Sequence, residues 1–280
     1  MPSASSIRDD LIVAIEPPHP WGIVSLVELW KSRELLYALT AREVQVRYAQ
    51  TWVGVAWVVL KPLSSMLLLW AMFGRVAQLP TDGIPYPVFF FSGLVLWFFF
   101  AGAVTDCKDS VVDNADLVRK VYFPRLLLPL ATVCARLIDL AITVVVLLFL
   151  VAYGQVSLSF SLFWIPAISG LTTLLAIGVG LWVAALNVRY RDTTHVVPVA
   201  LQLLLFASPV VYSSHLVPLE WRALYALNPL VGLIESFRAA LVDRPIPLDS
   251  LAISTLVTVF LVASASLAFH RLEISFADTV

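Results

Sequence analysis

Three charged residues stand inside otherwise apolar runs: Lys61, Arg136 and Asp139. An ionised side chain in lipid is costly, so each is a functional candidate by default. Arg136 and Asp139 lie three apart and share one helix face. They form either a mutually neutralising pair or a lining for a channel or helix contact. Lys61 precedes Pro62, which is expected to kink its helix. Its ammonium either snorkels to the interface or faces a cavity. Only Asp139 is an acid well inside a run, which argues against ion coupling, where several buried acids are usual.

A second polar cluster occupies residues 106–125, where Asp106, Lys108, Asp109, Asp113, Asp116, Arg119, Lys120 and Arg125 mix both signs. Asn114 is placed to cap a short helix with Arg119 and Lys120 at its end, before Phe123-Pro124 stops it. A short charged helix between two apolar runs suits docking into a groove of a cytoplasmic partner; a plain solvated loop is the alternative. Enzyme signatures do not occur in the sequence. No GxxxxGK[ST] appears among the 11 glycines, so the chain does not bind ATP in the P-loop manner. His19, His195, His215 and His270 are scattered, and Cys107 and Cys134 lie far apart, so neither a metal site nor a disulfide is expected. No cofactor is expected in this chain, and a net charge of −1 gives it no draw to nucleic acid. The 33 aromatics, 9 Trp, 8 Tyr and 16 Phe, are expected in core and interface belts, although their faces also suit sugar rings.

The elements that carry these residues are membrane helices. Hydrophobic residues make up 60% and charged residues 13% of the 280, too little polar surface to cover a soluble domain. Six apolar runs are long enough to consider as spans, at about 52–74, 87–105, 126–152, 161–186, 196–212 and 248–269. The first residues lack a signal-peptide pattern, so the early spans are expected to direct insertion. With the N-terminus cytoplasmic, 12 Lys and Arg fall inside and 4 outside, and both termini are expected in the cytoplasm. Residues 25–48 place Leu26, Trp30, Tyr37, Val44 and Tyr48 on one stripe, with Leu29 and Leu36 beside it. This predicts an amphipathic helix along the cytoplasmic interface, with Arg42 and Arg47 at the headgroups. A soluble helix packed on a partner is the alternative. Residues 213–247 are too polar to span and divide at Asn228-Pro229 into two short helices carrying Trp221, Tyr225 and Phe237. They predict a hairpin dipping into the outer leaflet, provided protein or a cavity surrounds it. The expected fold is therefore an all-α membrane protein with six transmembrane helices, an N-terminal interface helix, and two short re-entrant outer helices between spans five and six. Counting that hairpin gives eight embedded helical pieces. The expected organisation is a tail at 1–24, one transmembrane domain at 25–272 and a cytoplasmic tail at 273–280.

Longer motifs carry a family resemblance. The run from Leu35 through Arg42, Arg47 and Lys61-Pro62 to Leu63 resembles the opening of the permease subunits of polysaccharide-exporting ABC transporters of the second exporter type. The match extends through Asp82-Gly-Ile-Pro-Tyr-Pro87, Asn114-Ala-Asp-Leu-Val-Arg-Lys, Asn187-Val-Arg-Tyr-Arg-Asp192, Ser208-Pro-Val-Val-Tyr212 and Asn228-Pro229, and covers about residues 25–272. The resemblance implies a bacterial inner-membrane protein, two copies of which pair with two ATP-binding subunits. ATP and Mg would be held by that partner. It implies that the interface helix, with Arg42, and the loop residues Asn114, Asp116, Arg119, Lys120 and Arg125 contact the partner. Trp221, Tyr225, Asn228, Pro229 and Phe237 would belong to gate helices at the channel exit. The cargo implied is a lipid-linked polysaccharide such as O-antigen, capsule or teichoic acid. Other readings are a permease of this architecture for a drug or lipid, a membrane transferase acting on lipid-linked sugars, and an ion channel, which is disfavoured because no filter sequence occurs.

Overall fold

The structure is a computed structural model that describes residues 30–49, 54–121, 123–154 and 160–279. The described residues form helices and connecting turns. The expected tail at 1–24, and Leu26 and Leu29 of the expected stripe, lie outside them.

Helix α1 spans Arg33–Tyr48. Helix α2, Ala56–Leu69, continues into a π-helical turn, Trp70–Val76. Helix α3 spans Tyr86–Ser110, with proline in its first turn, where a missing N–H costs nothing. The short α4, Ala115–Lys120, leads to α5, Leu127–Tyr153. Helix α6 spans Trp164–Arg189 and α7 spans Thr193–Phe206. Then come α8, Leu219–Ala226, α9, Pro229–Leu241, and α10, Leu248–Thr279.

Five helices are long and apolar enough to cross a bilayer, and they match the expected spans one to four and six. The fifth expected span is the 14-residue α7, about 21 Å long, against a hydrocarbon core of about 30 Å. The chain leaves it by turns at 207–212, before Pro209. Among the described residues, α7, α8 and α9 are shorter helices beside the five long ones. At the other end, the expected tail boundary at 273 falls inside α10, which runs on to Thr279.

Helix α3 is the centre of the bundle. It packs on α5 and α6, while α10 packs on α6 and α9. Phe90, Phe91 and Phe100 are fully buried, and Phe89, Trp97 and Phe99 nearly so. This aromatic cluster is therefore core rather than lipid belt. Helix α2 is the opposite case, with Leu60, Leu67 and Leu68 exposed, as is Met72 of the turn that follows it. The two halves of the α8–α9 hairpin also differ. Helix α9 is buried along most of its length, with Phe237 fully inside and Pro229 and Glu235 half-buried, whereas α8 exposes Leu219, Trp221 and Leu224. Phe237 is thus a core residue, because α9 fills the space between α3, α6 and α10.

Candidate functional site

Arg136 and Asp139 do not form an isolated pair. Arg136 donates through Nε and Nη2 to both oxygens of Asp106, at 2.6 and 2.9 Å, and through Nη1 to Asp139 at 3.2 Å. Arg47, at the end of α1, donates to the same two aspartates, at 2.7 Å to Asp106 and 3.1 Å to Asp139. The Tyr48 hydroxyl donates to the other oxygen of Asp139. Two arginines and two aspartates balance, and the Arg136–Asp106 contact is bidentate, the strongest geometry for such a pair. Gly102 makes room for it: a Cβ there would lie 3.0 Å from Cζ of Arg136.

This network corrects two expectations. Asp106 is not a loop residue, since α3 continues to Ser110. Arg42 and Arg47 are held by protein rather than left for headgroups. Arg42 donates to the Asn114 side chain at 2.6 Å. Asn114 sits at the start of α4, but its side chain does not cap it; its amide donates to Ser110 O at 2.8 Å. Helix α1 is thereby joined to α3, α5 and the α4 loop. Its packing face is Leu36 and Leu39, while Trp30 and Tyr37 of the expected stripe are exposed. Burial, then the bond to Asp139 and its charge, push the Tyr48 hydroxyl up to about 12.

The coupling-loop residues divide. Asp116, Arg119 and Lys120 are exposed on α4, with Lys120 3.5 Å from Asp116. Arg125 is engaged within the chain: its backbone N–H donates to the Glu273 carboxylate at 2.9 Å and its guanidinium to the Glu273 carbonyl. The end of α6 is fixed beside this region, where the Asn187 amide donates to Lys108 O at 2.9 Å.

At the opposite end, Asn228 caps α9 by accepting from Leu230 N–H at 3.1 Å, and its amide donates to Ala207 O and Ser208 Oγ, both at 2.9 Å. It stitches the α8–α9 corner to the end of α7. Tyr225 of α8 tilts against Tyr212 with ring centroids 6.3 Å apart. Arg238, one of the four cations counted outside, is buried. Its guanidinium lies 3.7 Å over the Phe89 ring and donates to the carbonyls of Phe89, Pro209 and Val210. Gly93 permits that approach: a Cβ there would lie 2.8 Å from the guanidinium. Spacing could not reveal these partners, because backbone carbonyls have no residue type; the only signal was a cation on an apolar helix.

Cavities accompany these groups. One of about 470 Å³ lies at the α8–α9 end, where Asp82, His215, Tyr225 and Glu235 contribute to its lining. One of about 370 Å³ lies at the α4 end of the bundle between Arg42, Glu43, Asp109 and Asp113. A third, about 570 Å³, is an open groove beside α2 and takes in Arg47, Tyr48, Lys61, Arg136 and Asp139. The sequence candidates thus fall into three places, with Lys61, Arg136 and Asp139 brought to one groove. Among the described residues, no group of three His, Cys, Asp or Glu could hold a metal ion.

Residues 34–242 match the family described as ABC-2 type transporter. The chain is 33% identical to the O-antigen export system permease protein RfbA of Myxococcus xanthus, over 90% of this chain and 98% of that protein. It is 28% identical to the RfbA protein of Klebsiella pneumoniae, over 88% and 94%. It is 27% identical to the polysialic acid transport protein KpsM of Escherichia coli, over 84% and 91%.

Proposed function

The chain belongs to the ABC-2 type transporter family, and we propose that it is the permease subunit of an exporter carrying a polysaccharide such as O-antigen across the bacterial inner membrane. It is a multi-pass membrane protein. The observation that carries the reading is the similarity to two O-antigen export permeases across nearly the full length of both partners. An ATP-binding subunit, holding ATP and Mg, drives the transport, and two permeases pair with two such subunits. Both termini face the cytoplasm, as the distribution of Lys and Arg favours. The cargo is a polysaccharide linked to a polyprenyl lipid.

The mechanism follows from where the charges sit. Exposed Asp116, Arg119 and Lys120 on α4, with α1, receive the motion of the partner as ATP is bound and hydrolysed. The Arg47–Asp106–Arg136–Asp139 network passes it to α3 and α5, because its contacts are short and join all three helices. At the outer end, α8 is the moving part of the gate and α9 its fixed base, consistent with the exposure of one and burial of the other. Deleting the gene is expected to abolish surface glycan and accumulate it inside the cell, read by glycan blotting of whole cells and fractions. Normal surface glycan in a strain without a second exporter would sink the reading.

A further inference from the structure

Helix α4 is tied at both ends, and to different helices. At its start the Asn114 side chain accepts from Arg42 of α1 at 2.6 Å. Beyond its end Arg125 is held by Glu273 of α10: its backbone N–H donates to the carboxylate at 2.9 Å and its guanidinium to the Glu273 carbonyl. Apolar contacts run the same way. Val118 of α4, with Phe123 and Leu126, shares a buried cluster with Phe269 of α10, and Leu272 packs against it. The Arg47–Asp106–Arg136–Asp139 network joins α1, α3 and α5 and has no member on α10. Motion of α4 therefore has a second way out, which the network does not use.

Helix α10 suits that task. Among the described residues, it is the one of the five bilayer-length helices with neither proline nor glycine, the usual sites of a sharp bend. Its 32 residues run about 48 Å. About 35 Å along the axis from Glu273 it meets α9, where a Cβ on Gly232 would collide with Ser250 O and Ser254 Oγ. So close a contact leaves the two helices no room to slide. Helix α9 is also tied to α3, since Arg238 donates to Phe89 O at 3.1 Å. The base of the hairpin is thus held between a helix that the network reaches and a helix that Glu273 reaches, and α10 touches α8 as well. A shift of α10 against α3 loads α9 and displaces α8, the exposed half. We propose that α4 drives the hairpin by these two routes, and that Glu273 is the positioning residue of the second. That ATP in a partner subunit moves α4 rests on the export reading; the link from α4 to the hairpin does not.

The test uses the full-length chain assembled with its ATP-binding subunit in nanodiscs, in a Cys134→Ser background with Leu224→Cys on exposed α8 as reporter. The readout is the rate at which a water-soluble maleimide labels that thiol, with and without ATP. In the parent, ATP is expected to change the rate. Glu273→Ala should shrink that change about three- to tenfold while ATP hydrolysis stays at the parent rate. Glu273→Asp keeps the charge but falls about 1.5 Å short of the Arg125 N–H, and should act like Glu273→Ala. Glu273→Gln keeps an oxygen within reach and should restore the parent response, which a role confined to the charge contact with His270 would not. Should Glu273→Ala fail to assemble, Glu273→Asp against Glu273→Gln decides. A parent-like response in Glu273→Ala or Glu273→Asp, a lost one in Glu273→Gln, or no effect of ATP at Leu224 in the parent overturns the proposal. A response that depends on Glu273, in a chain whose deletion leaves surface glycan normal, would remove the export reading and leave the α10 route standing.

Discussion

Arg47 carries a large consequence for a single side chain, because among the described residues it is the charged member of the network on α1. Truncating one partner of a buried charge pair leaves the others uncompensated, at about 3–5 kcal/mol for full burial. These side chains retain between 11% and 27% exposure, so the lower end of that range is expected for Arg136→Ala, read as loss of thermal stability in detergent. The four charges are also expected to be strongly non-additive. A double-mutant cycle of Arg47→Gln with Asp106→Asn should show a coupling of about 1–3 kcal/mol, and additive losses would mean that the contacts do not cooperate. Tyr48 adds a pH dependence. Its folded value is raised to about 12 from the ordinary 10.0, so the stability it contributes is fully present below pH 10 and is lost as pH rises through 12. Tyr48→Phe should flatten that alkaline limb of a melting-temperature profile.

Among the elements, α4 and the α8–α9 hairpin make separable predictions. The double variant Arg119→Ala with Lys120→Ala should melt like the parent yet hydrolyse ATP in the assembled complex without moving cargo, because both side chains are exposed. Unimpaired transport would remove α4 from coupling. Arg125→Ala should behave differently and lower stability, since Arg125 ties the chain before α5 to α10. Asn228→Ala removes a helix cap and two further bonds, and is expected to cost at least about 1 kcal/mol. The long helices were legible in sequence because hydropathy is a local property. The hairpin was legible in part: Asn228-Pro229 marked the corner, but nothing in the α9 pattern told a buried helix from an interfacial one. The burial of Phe237 and Arg238 was not legible for that reason. The network was half legible, since Arg136 and Asp139 are three apart, while Arg47 and Asp106 are separated by 59 positions and meet only through the fold.

For the whole molecule, the exposure of α2 and α7 is what remains to be covered. Leu67, Leu68, Val199, Leu203 and Phe206 all present large apolar surface. If two copies pair through these helices, Leu67→Cys should cross-link copy to copy in membranes while Phe149→Cys, exposed on α5, should not. Helix α1 has a mechanical consequence for such an assembly. It is pinned at Arg42 to the head of α4 and at Arg47 to α3 and α5, about 7.5 Å further along its axis. A rod on one pin swivels and dissipates a push as rotation. Held on two, it acts as a lever whose displacement must appear at both ends together, so force applied beneath the membrane reaches the transport helices as translation rather than spin.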